Sequence, residues 1–503
     1  MSFLYNNLSV IIVSLSMAAV TWLYGGAMGE YLVPVVPWLL FFMLEALFFF
    51  PQKQEAESVY EARKRVWYDL KRDPLAWLVF GLLALLAVPF VNNALCAHCD
   101  RELIAAGVDP APPVPFIPFC VNRIEHLNVF FWFALALVSV LVVKHSLRGS
   151  GKILLLETVV WNGCALALLG FVQKAAQAPG PLWLEGAADP STFFSTFGYT
   201  NMAGDYFTTL FAIAVGLWRW HCDGVRAKAG EDDSGVSPDK RGFFWKQHYF
   251  LIPSVIFYFS ALNTLSRAAI MSVTALALVF FLHTFISFLS KVKRAQRVKK
   301  GVLSLGVLAL IAIFAINFMP SNIQKELDTL DADEVLSRVT GKAQYHSRVA
   351  TEIWKDNLLF GCGGWGYRHF CIPKMTETEL KHIQRVGGIY VHNDHLQFLA
   401  EHGLVGYGLF VAIILLLISP TFVIWRRLVD AVRFMKPKEQ PPRPVQIFVI
   451  PAPVFFIFAA AVSTLIHAFG DCPMRSSAVL TLFCVMLAAS SAFLPKLSNS
   501  KGE

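Results

Sequence analysis

A cluster of titratable side chains falls within eleven residues at the head of an apolar run. In VHNDHLQFLAEHGLVGYGLFVAIILLL, residues 391–417, His392, His395, Glu401 and His402 lead straight into a stretch long enough to cross a membrane. Ionisable groups cost free energy at that depth, so their presence there points to function. The positive end of a helix disfavours an imidazolium. His392 therefore reads as a neutral imidazole facing a wet cleft, poised to take a proton. The plainer alternative is an interfacial histidine that snorkels to water. His392 and His395, at i and i+3, are also a metal pair in principle, but no third ligand follows at fixed spacing. Asn393 stands beside His392 as a substrate-binding candidate and as one group able to fix its tautomer.

Two arginines stand out, the first of them in apolar surroundings. Arg267, in NTLSRAAIM, lies at the turn between two apolar runs. A guanidinium there needs an anionic partner, and its planar fork suits phosphate oxygens. A structural pair with a helix C-terminus or with Asp471 would satisfy it equally. Arg348, in HSRVATEIWKDNLLFG, taken alone is as readily a solvated face. In STFGYTNMAGDYFTTL, Asn201, Gly204 and Asp205 open another apolar run. Such residues either bind sugar hydroxyls or cap the helix, with Thr200 or Asn201 as N-cap. In HAFGDCPMRSS, Asp471 and Arg475 either contact substrate or hold a turn by an ion pair.

The elements that must position these groups follow from composition. The chain of 503 residues is 56% hydrophobic and 16% charged, with a mean hydropathy of +0.53. A soluble chain is about 25% charged, and here the apolar residues come in blocks of the length that spans a bilayer. Strands of a β-barrel would be shorter and alternating. The chain therefore reads as all-α, a polytopic membrane protein of about twelve transmembrane helices. These are expected near 7–25, 31–50, 75–94, 127–143, 153–172, 201–218, 248–264, 268–289, 301–319, 391–418, 446–466 and 476–494. The first is expected to be a retained helix, because no cleavage-like site follows it.

Lysine and arginine set the orientation. With a cytoplasmic N-terminus, the loops 51–74, 144–152, 219–247, 290–300 and 426–445 and the C-terminal tail are cytoplasmic and hold 29 of the 43 basic residues. The formal charge of +8 is then a topology signal and no sign of nucleic-acid binding. Six of the nine cysteines, Cys96, Cys99, Cys120, Cys362, Cys371 and Cys472, fall on the outer side. That suggests at least one disulfide, with Cys362–Cys371 the favoured pair across a short glycine-containing loop. Cys96-x-x-Cys99 with His98 lacks the second pair of a zinc site. The segment 320–389 is too long for a plain connector and is expected to form a helical cap between transmembrane blocks 1–319 and 390–503. Within it, Asp331-Ala-Asp333 fits a solvated helical face, and GCGGWG lacks the strand of a dinucleotide fingerprint. No Walker motif is present, so no ATP chemistry is expected, and no cofactor.

Four segments in order, FGYTNMAGDYF, LNTLSRAAIM, HSRVATEIWKDNLLFGCGGWG and VHNDHLQFLAEHGLVG, resemble the O-antigen ligase family, whose superfamily includes O-antigen polymerases and bacterial O-linked oligosaccharyltransferases. The resemblance implies twelve spans with one large periplasmic loop between the ninth and tenth. It implies transfer of a glycan from an undecaprenyl-pyrophosphate donor to an acceptor hydroxyl, the lipid A–core sugar for a ligase, at the periplasmic face of the inner membrane without ATP or metal. It assigns the family's two essential arginines to Arg267 and Arg348 and its essential histidine to His392. Direct displacement would invert the anomeric centre. A polymerase or a protein O-glycosyltransferase shares this chemistry; a lipid-linked glycan transporter is the rival of another class, and would favour inverted repeats with broken midplane helices.

Overall fold

The computed structural model describes residues 2–27, 32–54, 56–92, 114, 116–186, 188, 192–231, 248–291, 345–386, 390–433 and 450–494. The expected span 301–319, the Asp331–Asp333 pair, Cys96, His98 and Cys99 lie outside them. Among the described residues the elements are helical, with one isolated bridge, Phe194 to Phe197. In chain order they are α1 (Ser2–Trp22), α2 (Val36–Phe48), α3 (Val59–Arg72), α4 (Pro74–Ala87), α5 (Arg123–Leu141), α6 (Gly149–Ala175), α7 (Thr200–Glu231), α8 (Leu251–Asn263) and α9 (Arg267–Lys291). Then follow α10 over 345–356, α11 (Glu377–Val386), α12 (Asp394–Arg433), α13 (Ala452–Gly470) and α14 (Ser477–Ala489). Eleven of the twelve expected segments thus carry a helix. Among the described residues six helices are long and apolar enough to cross a membrane, or up to seven if the bent pair α3–α4 is one span; α2, α8 and the helix from Ser477 to Phe493 are apolar but shorter.

The core follows from which helices are apolar all round. Every residue of α14 is buried, as expected of a helix with no polar face. It packs against α5, while α7 packs on α8, α9 and α13. At one end of α14, Ser476 donates to the Gly25 carbonyl; just beyond the other, Ser491 accepts from the Lys152 ammonium at 2.9 Å. The second end gathers two short basic loops. Glu57 pairs with Arg65 at 3.0 Å and Arg148 at 3.1 Å, and Asp73 with Lys144 at 2.7 Å and His145 at 2.9 Å. Loops 51–74 and 144–152 therefore share one face, as the basic-residue bias requires.

Loop 51–74 contains a helix, α3, that a reading of it as a connector passed over. A Ser58–Glu61 capping box starts α3, satisfying two orphan donors reciprocally. Ala62, Val66 and Leu70 face the protein, while Tyr60, Trp67 and Tyr68 are exposed.

The long helix α12 is broken. Gly403 has φ 64° and ψ −172°, a region essentially reserved for glycine. The break would orphan backbone groups at membrane depth, and the turn after α10 satisfies them. Cys362 and Gly363 donate to the carbonyls of Ala400 and Glu401 at 3.0 and 2.8 Å, and Leu404 and Val405 donate to those of Leu358 and Leu359 at 2.9 and 3.0 Å. A β-carbon at Gly403 would lie 2.3 Å from the Leu359 carbonyl carbon. Gly403→Ala is therefore expected to lose at least about 1–3 kcal/mol from the backbone alone, more with the clash. Thermal unfolding in detergent checks this against Gly408→Ala, where a β-carbon meets nothing within 4 Å. Equal midpoints for the two variants would show that the break is not required.

Among the described residues, the cysteines expected on the outer side form no disulfide. Cys120, Cys362, Cys371 and Cys472 are thiols, all buried, so the expected Cys362–Cys371 disulfide is corrected. Both residues belong to one small apolar cluster with Val349, Ile353 and Tyr367. The Cys371 thiol is turned back along its own short helix, donating to the Arg368 carbonyl at 3.6 Å.

Candidate functional site

The starts of α7, α9 and α12 and the end of α13 meet at one point. Asp471 leaves α13 in extended conformation (φ −157°), which aims its carboxylate across the helix ends. His392 donates from Nδ1 to Asp471 Oδ1 at 3.3 Å. Tyr199 donates its hydroxyl to Oδ1 and Oδ2 at 3.2 and 3.1 Å, and the Asn201 amide donates to Oδ2. Ser266, the residue before Arg267, donates to the Asn201 carbonyl oxygen. A continuous chain of hydrogen bonds thus runs from His392 to the first turn of α9. Gly204 allows this approach, since a β-carbon there would meet Ala269 at 2.4 Å.

The carboxylate is buried and the imidazole is not. Asp471 is 12% exposed at its side chain and His392 42%. Burial pushes the Asp471 carboxyl up, but the His392 hydrogen bond and the nearby His392 and His467 charges outweigh it, so Asp471 is held below its usual range. Burial and the Asp471 charge raise the Tyr199 phenol, which stays a donor. With Nδ1–H donated to Asp471, the neutral form of the His392 ring has its lone pair on Nε2. His392 has φ 53°, an uncommon conformation for a non-glycine residue and a pointer to a functional constraint. Leu265 (59°), Trp365 (60°) and Ser195 (59°) share it, in or beside the other three segments singled out in the sequence.

A second, fully buried network braces the first. Arg475 pairs with Glu401 at 2.8 Å and Asp394 at 3.5 Å and lies over the Trp365 ring at 5.1 Å. Burial lowers the Arg475 guanidinium, but Glu401 and Asp394 more than restore it, so it stays charged. Asp394 also accepts from the Met474 N–H at 2.7 Å, tying α12 to the turn that bears Asp471. The sequence offered Asp471 as a partner for Arg475; the structure gives Arg475 two carboxylates of α12 instead.

The remaining candidates fall as follows. Asn393 is the N-cap of α12, accepting from the Leu396 N–H at 3.0 Å. Asn201 bridges helices and does not cap one. Asp205 is buried on α7 with Thr464 and His467, at 2.9 and 3.2 Å. His395 is committed at both nitrogens, to the Leu465 carbonyl at 3.1 Å and the Tyr407 hydroxyl at 3.2 Å, which removes it as a metal partner of His392. His402 is packed against Phe398 and Phe133. Arg267 is half-buried as the first residue of α9. Arg348 is set apart, 43% exposed on α10 and paired with Glu352 at 3.0 Å and Glu379 at 3.1 Å. Its link to the site is His346, two residues earlier, whose ring centroid lies 6.1 Å from that of His392. Tyr199 and His346 were not picked out from sequence, and Cys472 only as an outer cysteine. Tyr199 and His346 at least lie within the quoted segments. Cys472 Sγ donates to Asp471 Oδ1 at 3.3 Å, and one ligand atom each from His392, Asp471 and Cys472 falls within 4.8 Å of the others.

A helical multi-pass membrane protein with its polar cluster gathered where several helix ends meet is the class defined here. Residues 252–411 match the family model described as O-antigen ligase, which supports membership of the O-antigen ligase family and a membrane glycosyltransferase of ligase or polymerase type working on lipid-linked glycans. The match takes in Arg267, Arg348 and His392. No curated protein matches the chain.

Proposed function

We propose that the protein is an inverting ligase that moves a glycan from an undecaprenyl-pyrophosphate carrier to a hydroxyl of the lipid A–core, at the periplasmic face of the inner membrane. The observation that carries this reading is the His392–Asp471 dyad, with Nδ1 fixed by a buried carboxylate on an imidazole whose side chain is 42% exposed. In this mechanism the acceptor hydroxyl gives its proton to Nε2 as its oxygen attacks the anomeric carbon. The bond to the pyrophosphate oxygen breaks, and the lipid pyrophosphate leaves. Asp471 stabilises the imidazolium, as a carboxylate does for a catalytic histidine. Arg267 and Arg348 stabilise the charge growing on the leaving group.

Deleting the gene in its host and separating the envelope glycolipids tests the assignment. Loss of long chains from lipid A–core, with carrier-linked polymer retained, is the expected pattern. Loss of the polymer itself would identify a polymerase.

Arg348 supplies a sharper check. Its carboxylate partners are at the surface, where such pairs contribute about 0–1 kcal/mol. Arg348→Ala should therefore leave thermal unfolding almost unchanged while transfer falls roughly 10²–10³-fold, as for loss of one preorganised donor. Arg348→Lys should recover little, because a point charge does not reproduce the bidentate fork. A near-normal rate in both variants would remove Arg348 from the donor site.

A further inference from the structure

We propose that His392, Asp471 and Cys472 form a binding site for a borderline-soft transition-metal ion of the zinc class, and that an ion held there switches transfer off. The ligand set is a nitrogen, a carboxylate oxygen and a sulfur, which selects such ions over magnesium or calcium. Their spacing suits one small ion. Asp471 Oδ1 is 3.3 Å from His392 Nδ1 and 3.3 Å from Cys472 Sγ, and the three ligand atoms lie within 4.8 Å of one another. The usual zinc bond lengths put tetrahedral ligands about 3.3–3.8 Å apart, so only a small closure of the third edge is needed.

The surroundings favour a cation. Asp471 Oδ2 is held by Tyr199 and Asn201, and Oδ1, which faces the other two ligands, is also held by the Cys472 N–H at 2.7 Å and the Tyr199 hydroxyl at 3.2 Å. Such outer-shell bonds orient metal-binding carboxylates. Three carboxylates, Asp471, Asp394 and Glu401, stand against the Arg475 guanidinium and the His467 imidazole. The partly exposed His392 imidazole gives a path in, and the fourth position is left to water. On binding, the Cys472 thiol proton leaves to solvent as the sulfur–metal bond forms. The His392 Nδ1–H is replaced by a metal bond, and the ring keeps its one proton at Nε2 by exchange through solvent, remaining a neutral ligand. Binding stands on this geometry alone. Inhibition rests on the reading of His392 as the base, because the ion breaks the His392–Asp471 hydrogen bond and turns the imidazole into a ligand.

The test uses purified full-length protein in detergent, stripped with a chelator and titrated with Co²⁺. One ion per chain and a thiolate-to-cobalt charge-transfer band are expected, with Zn²⁺ displacing the band and Mg²⁺ failing to. Cys472→Ser should abolish the band and weaken Zn²⁺ binding by at least about tenfold, the lower limit for loss of even a second-shell partner. Cys362→Ser should keep the band. His392→Gln, altered at a partly exposed position, should weaken binding similarly. Absence of saturable uptake, or a band that survives Cys472→Ser, overturns the site. In the transfer assay, saturating Zn²⁺ should lower the rate at least tenfold, and chelator should restore it. Binding by the spectral measure with full transfer retained overturns the switch and leaves the site. If His392→Gln transfers normally, the base reading fails while the binding result stands.

Discussion

His392→Ala should lower glycan transfer by about 10²–10⁴-fold, the usual contribution of a positioned general base, with donor binding retained. Three features point to so large an effect. The imidazole is both hydrogen-bonded to a buried carboxylate and 42% exposed. Its Nδ1 is committed, so its basicity is directed outward through Nε2. Its backbone is held at positive φ, which fixes where the ring points. Alanine at that φ adds backbone strain, so His392→Asn, a residue that tolerates the conformation, is the companion variant. His395→Ala and His402→Ala are the controls: one binds a backbone carbonyl and a tyrosine, the other packs among aromatic rings. Transfer per folded molecule should fall far less in either. Near-normal transfer in both His392 variants would end its role as base, and loss of donor binding would recast it as a phosphate ligand.

Arg475→Ala should be the most destabilising single change in the site, costing about 3–5 kcal/mol, as when one member of a buried ion pair is removed. Asp394 and Glu401 would lose their counterion at 6% and 0% side-chain exposure, and each would have to stay charged and unpaired or take up a proton. Expression or thermal unfolding in detergent is the measurement. Adding Glu401→Gln to Arg475→Ala should recover part of the loss, because it removes one stranded charge. If Arg475→Ala unfolds normally and only raises KM for the glycan, Arg475 contacts substrate and the buried network is not its task.

Some of this protein was open in the sequence because the causes are local. A bilayer demands about twenty apolar residues per span, so eleven helices lie where apolar runs predict them. The bias of lysine and arginine predicts that loops 51–74 and 144–152 share a face, and the shared carboxylates Glu57 and Asp73 hold them together. His392 could be singled out because a titratable residue at a helix start in an apolar chain is costly in any fold.

Which charge meets which was not legible, because an ion pair depends on three-dimensional approach, and Asp394, Glu401, Asp471 and Arg475 all sit near one another in composition and depth. Only the packing of α13 against α7 and α12 gives Asp471 to His392, Tyr199 and Asn201, and gives Arg475 to Glu401 and Asp394. The interruption of α12 at Gly403 depends likewise on the turn at Cys362 and Gly363 arriving to satisfy its carbonyls, and that same turn forms without a Cys362–Cys371 bond. The apolar pattern along the chain set where helices run through the bilayer; the pairing of buried polar groups had to wait for the tertiary fold, since a buried charge or backbone group is satisfied only by whatever distant residue the packing brings within reach.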